Sequence, residues 1–104
     1  MAFPGLNHVA ITVRDINVSG PWYRTLFGIH QHERSAPDER FSEFRVGLDH
    51  VGLGCANRAE LEEWMTRLNE LGVHHGGIVD ARYGSGLSFR DPDNIALEFF
   101  APPV

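Results

Sequence analysis

Two histidines and one glutamate stand out for what they could coordinate. His8 lies in Gly5-Leu6-Asn7-His8-Val9-Ala10-Ile11, and His50 lies in the similar run Gly47-Leu48-Asp49-His50-Val51-Gly52-Leu53, 42 positions further on. Glu98 follows in Ala96-Leu97-Glu98-Phe99-Phe100. Two imidazoles and a carboxylate suit Zn, Mn, Fe, Co or Ni and leave coordination positions for water or substrate. A single strand histidine is more often a packed or surface residue than a ligand. The case here rests on the repeated position and on Glu98 as its match.

The elements that must position these residues follow from periodicity. Leu6 to Val13 alternates, with Val9, Ile11 and Val13 on one face and His8, Ala10 and Thr12 on the other. Leu48 to Cys55 alternates in the same way, setting Val51, Leu53 and Cys55 against His50, Gly52 and Gly54. The branched side chains should pack on a helix, so the histidine face, lined by small residues, can form a cleft. In the last strand Ile95, Leu97 and Phe99 share one face and Glu98 lies on the other with Ala96 and Phe100.

The 42-residue offset also relates Trp22 to Trp64, Leu26 to Leu68 and Asp15 to Asn57, which points to duplication of one supersecondary unit. Each opening strand is followed by a helix. The first carries Trp22, Tyr23, Leu26 and Phe27, with Pro21 at an early helical position, and the second carries Leu61, Trp64, Met65, Leu68 and Leu71. Asn57 is placed to cap the second helix, and Gly28 and Gly72 sit where helices end. Three strands are predicted after it, over 73–81, 86–90 and 96–100, the last two joined by the turn Asp91-Pro92-Asp93-Asn94. Unit two therefore reads β-α-β-β-β. Unit one has room for only two short further strands, near 29–34 and 41–46, separated by a loop over 35–39. The predicted fold is α+β, with paired β-α-β-β-β modules forming a curved mixed sheet around a cleft and the first module shortened. It is one domain over 1–104, with module one at about 5–46 and module two at about 47–101.

Other residues divide between chemistry and packing. Tyr83, in the Gly-rich stretch 82–86, can reach over the cleft as a hydrogen-bond donor or can anchor its loop. Arg90 can hold an anionic substrate or pair with Asp91 or Asp93. Trp22, Trp64 and Cys55 are expected in the core. His74 and His75 are expected at the surface, and Glu33, Glu39 and Glu43 solvated.

Composition excludes several classes. The chain has 104 residues, a net charge of −5 and no Lys/Arg cluster, so nucleic acid is not an expected partner. Its one cysteine cannot form an internal disulfide, and there is no signal-peptide pattern and no apolar stretch of membrane-spanning length. A cytoplasmic protein with no membrane partner is expected.

The runs Leu6-Asn7-His8-Val9-Ala10-Ile11-Thr12-Val13, Trp22-Tyr23-Arg24 and Leu26-Phe27-Gly28 resemble the opening of vicinal-oxygen-chelate proteins. That superfamily contains glyoxalase I, fosfomycin-resistance transferases, bleomycin-resistance proteins and extradiol dioxygenases. Gly86-Leu87-Ser88-Phe89-Arg90-Asp91-Pro92-Asp93-Asn94, followed by Leu97-Glu98-Phe99, is similar to its closing hairpin. The resemblance implies a divalent metal in the cleft, chelated by neighbouring oxygens of a small-molecule substrate, with ligands falling on His8, His50 and Glu98. Some members add a ligand from the last strand of module one. Here that strand would be 29–34, where His30 and His32 share one face and Gln31 and Glu33 the other, and the residues do not choose among His30, His32 and Glu33. The shortened module leaves a sheet edge bare, so a homodimer is expected.

Three readings compete. The first is a metal-dependent lyase or isomerase of the glyoxalase kind, or a dioxygenase, with Glu98 and Tyr83 as the catalytic candidates. The second is a metal-free small-molecule or drug-binding module of the bleomycin-resistance kind. The third is an inactive shortened paralogue.

Overall fold

A computed structural model describes residues 5–28 and 35–103. Helix α1 spans Ile16–Phe27 and α2 spans Arg58–Glu70. Strands β1 (Val51–Gly54), β2 (His75–Ala81), β3 (Gly84–Arg90) and β4 (Ala96–Ala101) form one sheet in the order β1-β4-β3-β2. β1 runs parallel to β4, and the other pairings are antiparallel. Module two is thus the β-α-β-β-β unit expected from the sequence.

The two helices bear out the repeat. Asp15 caps α1 by accepting from the Asn17 N–H at 2.9 Å, and Asn57 caps α2 by accepting from the Glu60 N–H at 2.9 Å. Each side-chain oxygen satisfies a donor that the first helical turn leaves unpaired. Gly28 ends α1 with φ at 70°, a left-handed conformation that costs glycine little. Leu26 and Leu68 are both buried. Pro21 corrects the expected start of α1: it lies inside the helix, because the Asp15 cap opens the helix at Ile16, five residues before Pro21.

Both helices pack on the same face of the sheet. Leu87, Phe89, Leu97 and Phe99 point into this layer, joined by Leu26, Leu61 and Leu68. Trp64 stacks on Phe99 with centroids 4.4 Å apart, and Trp22 reaches Phe89 at 6.4 Å. Val51, Leu53 and Cys55 also meet the core, as alternation requires. Arg58, at the start of α2, binds Asp80 of β2 and Glu62 one helical turn on.

Module one departs from expectation. Residues 6–12 form no strand, and only Val13 joins a ladder, through an isolated parallel bridge to Ser35. A strand needs a neighbour for its N–H and C=O groups. Val51–Gly54 has β4 beside it, whereas 6–12 has no such partner among the described residues, and Leu6 and Val9 stand exposed. The expected strand at 41–46 is instead a chain of turns, in which Ser42 accepts from the Phe44 and Arg45 N–H groups. The expected strand at 29–34 lies outside the described residues.

Candidate functional site

The sheet face away from the helices is open and lined by small residues. Strand register sets its layout. Glu98 pairs with Gly52 of β1 and Ser88 of β3, and Phe100 pairs with Gly54 and Gly86. Alternation places Ala96, Glu98 and Phe100 of β4 on this face with Gly86, Ser88 and Arg90 of β3. The Glu98 carboxylate lies over Gly86: a Cβ at position 86 would stand 3.3 Å from Glu98 Oε2. Gly86 therefore provides the room in which this carboxylate rests. Among the described residues no donor binds it.

Beside Glu98 lies a concavity of about 260 Å³ walled by Val79, Ala81, Tyr83, Gly84 and Phe100. The Tyr83 ring lies parallel to that of Phe100, with centroids 6.3 Å apart, and 76% of the residue is exposed at the β2–β3 turn. Gly84 permits this close turn. Its φ is 142°, and a Cβ there would meet the Phe100 ring and the Ala101 carbonyl. Tyr83 and Glu98, named from the sequence as catalytic candidates, thus share one hollow.

His50 immediately precedes β1. Counting back from Gly52 puts its position on the open face, opposite Ala96 and two residues from the Glu98 level. His8 lies in the exposed, unpaired segment before α1. Among the described residues no three His, Cys, Asp or Glu side chains converge as a metal-binding group. A single chain brings Glu98 and Tyr83 together and sets His50 on the same face, but it does not carry His8 to them. His30, His32 and Glu33 lie outside the described residues.

The repeat extends to the surroundings of the histidines. His8 Nδ1 lies 2.8 Å from Asn7 Oδ1, and His50 Nδ1 lies 2.6 Å from Asp49 Oδ1. Where Nδ1 of the neutral ring carries the proton it donates to this neighbour, and Nε2 presents a lone pair. That arrangement leaves Nε2 able to bind a metal, with the kind of outer hydrogen bond that orients such ligands. Sequence reasoning missed this, although Asn7 and Asp49 occupy equivalent places in the two runs. The donor chemistry of His8, His50 and Glu98 fits a divalent ion.

Other sequence expectations resolve as follows. Arg90 pairs with Glu43, at 3.2 and 3.4 Å, and not with Asp91 or Asp93. Glu43 is therefore bound and partly covered, and the Arg90 hydrogen bonds hold its carboxyl below the usual range. Asp91 instead accepts from Tyr23 Oη at 2.7 Å and from the Asp93 and Ile95 N–H groups at 2.8 Å. Burial nonetheless pushes its carboxyl up. Cys55 is buried and its thiol is raised by burial and then by Glu60. His74 is exposed as expected, while His75 is half-buried and bonded to Asn69 and to the Gly77 N–H.

No protein-family model and no curated protein sequence matches the chain. Solved structures do. A glyoxylase/bleomycin resistance protein/dioxygenase domain from Frankia sp. EAN1pec superposes with a TM-score of 0.82 at 25% identity, covering 97% of this chain and 93% of that one. The lactoylglutathione lyase from Agrobacterium tumefaciens gives 0.71 at 17% identity, covering 93% and 92%. The genomically encoded fosfomycin resistance protein FosX from Listeria monocytogenes gives 0.72 at 17%, covering 99% and 97%. No helix among the described residues is long and apolar enough to cross a membrane. With its β-α-β-β-β sheet, its paired helices and these neighbours, the chain has the fold of the vicinal-oxygen-chelate superfamily.

Proposed function

We propose that the protein is a cytoplasmic, divalent-metal-dependent enzyme of the vicinal-oxygen-chelate type, a lyase, isomerase or dioxygenase acting on a small oxygen-chelating substrate. The observation that carries this reading is the Glu98 carboxylate lying over Gly86 on the open face, free of protein donors among the described residues, with the His50 position on the same face. His50 and Glu98 would hold the metal, and His8 is the third donor of matching chemistry. A divalent ion there supplies Lewis-acid polarisation of substrate oxygens. Phe100, Val79 and Ala81 give the hollow an apolar wall that limits water around the substrate. Tyr83, at its rim, can donate a hydrogen bond to a substrate oxygen.

The proposal includes a homodimer. Among the described residues β1 is an edge strand, and Phe44, Val46 and Leu48 just before it are exposed. Bare edges and apolar side chains of this kind favour pairing with a second chain. Light scattering should give about twice the 11.7 kDa chain mass, and a compact monomer at micromolar concentration would count against it.

The metal is tested on protein purified without a histidine tag. Elemental analysis should find close to one divalent ion per chain, reduced in His50→Ala and Glu98→Gln with helical circular dichroism unchanged. Unchanged occupancy in both variants would dismiss the assigned site. The second reading, a metal-free binding module, draws support from the apolar walls of the hollow. Absence of metal together with retained small-molecule binding would favour it.

A further inference from the structure

Arg90 is the one Lys or Arg in the four strands, and register puts it on the open face. It pairs with Ala96, one level along from the Ser88–Glu98 pair, so its Cα lies diagonally across from that of Glu98, about 7–8 Å away by sheet geometry. The guanidinium presents a planar fork, a shape matched to carboxylates. Glu43 fills that fork: Nη2 meets Oε1 at 3.2 Å and Nη1 meets Oε2 at 3.4 Å. Nη1 also donates to the Asn94 carbonyl at 3.0 Å, which holds the arginine in place independently of Glu43.

Glu43 comes from the irregular stretch before β1. Its neighbours Phe44 and Val46 are 93% and 109% exposed, so this stretch is lightly packed around the pair. A half-exposed ion pair of this kind contributes little to stability. A ligand carboxylate that is already anchored elsewhere on the same face can displace Glu43 at little cost, because anchoring raises its effective concentration at Arg90.

We propose that Arg90 is the anion-recognising residue of the open face and that Glu43 is an internal placeholder, displaced by a carboxylate on the substrate. This deepens the functional reading above and rests on it for the location of the substrate. It narrows the substrate class to oxygen-chelating molecules bearing a second, distal carboxylate. Arg90 is a specificity residue in this scheme and takes no part in bond making.

Two probes separate the terms. 2-Oxoglutarate and 2-oxopentanoate share the chelating 2-oxo acid and differ in the distal carboxylate. Their affinities are measured by calorimetry on Mn(II)-treated and on chelator-treated protein. Wild type should prefer 2-oxoglutarate. Arg90→Gln should reduce that preference by about tenfold or more, as expected on loss of a charge-assisted fork, and Arg90→Lys by less. Glu43→Gln should increase it by about three- to fivefold. A wild-type preference near unity, or one unchanged in Arg90→Gln with folding intact by circular dichroism, overturns the proposal. So does an unchanged or reduced preference in Glu43→Gln as regards the placeholder. If wild type takes up no Mn(II), the metal-dependent reading fails by itself, and the preference in chelator-treated protein still decides the role of Arg90.

Discussion

The Tyr23 hydroxyl donates to Asp91 Oδ2 at 2.7 Å and ties α1 of the first module to the β3–β4 turn of the second. Asp93, two residues on, accepts from the Arg14 N–H at 2.7 Å and from the Ser19 hydroxyl at 3.4 Å. The closing turn is therefore a clamp on the first helix, and it holds together modules that share no sheet ladder among the described residues. Tyr23→Phe should cost about 1–3 kcal/mol in urea denaturation, because a buried carboxylate loses one of its donors. Burial, then Asp91, raises the Tyr23 hydroxyl well above its usual range. The unfolded chain then loses that proton first, so stability falls as pH rises above about 10. Denaturation at pH 8 and pH 11 should show a steeper alkaline loss in wild type than in Tyr23→Phe, and equal slopes would refute the assignment.

The matched caps give a second expectation. Asp15→Ala and Asn57→Ala should each cost about 1 kcal/mol, since each leaves one N–H of a first turn without its acceptor. Denaturation midpoints of the two single variants decide it. A loss confined to one helix would mean that the repeated cap is not energetically equivalent in the two units.

Gly86 offers a test of the site that leaves every candidate ligand in place. A valine there would push on Glu98 Oε2, which would lie 3.3 Å from the new Cβ alone. Metal affinity in Gly86→Val should fall by about tenfold or more, the size of effect seen when the support of a ligand is disturbed. Titration with Mn(II) or Zn(II), alongside a thermal melt to confirm folding, measures it. Wild-type affinity in a folded variant would place the ion away from Glu98.

Protons should compete with the metal for the imidazoles. Ligand binding to the native state alone raises its stability, so the metal-induced rise in melting temperature should be larger at pH 7.5 than at pH 5. Melts with and without Zn, Mn, Ni or Fe(II), each with a chelator control, provide the comparison. Equal shifts at both pH values would mean that carboxylates hold the ion without the histidines.

Legibility in the sequence followed the range of the interactions. Both helices could be read because their signals are local: caps at Asp15 and Asn57, apolar stripes and left-handed exits. The closing hairpin was equally plain in Asp91-Pro92-Asp93-Asn94, where Asp91 gathers the turn's own N–H groups. Leu6–Val13 has the same alternation as Leu48–Cys55, yet only the second run contains a strand, because alternation reports which face could be buried and not whether a partner is present. Tyr83 and Glu98 were both named in advance, but their shared hollow depends on the β2–β3 turn and the β3–β4 register. The Glu43–Arg90 pair spans 47 residues and left no local trace.

The burial of Cys55 gives the molecule an internal clock. It is the chain's one thiol, 6% exposed, at the end of β1, and its backbone N–H donates to the Phe100 carbonyl at 2.8 Å. Burial also keeps the sulfur in its unreactive protonated form. Alkylating reagents can reach it when the β1 edge separates from β4 or the helix layer lifts from the sheet. The labelling rate of native protein therefore counts local opening around β1, and a ligand or second chain that clamps this edge slows the count without any engineered probe.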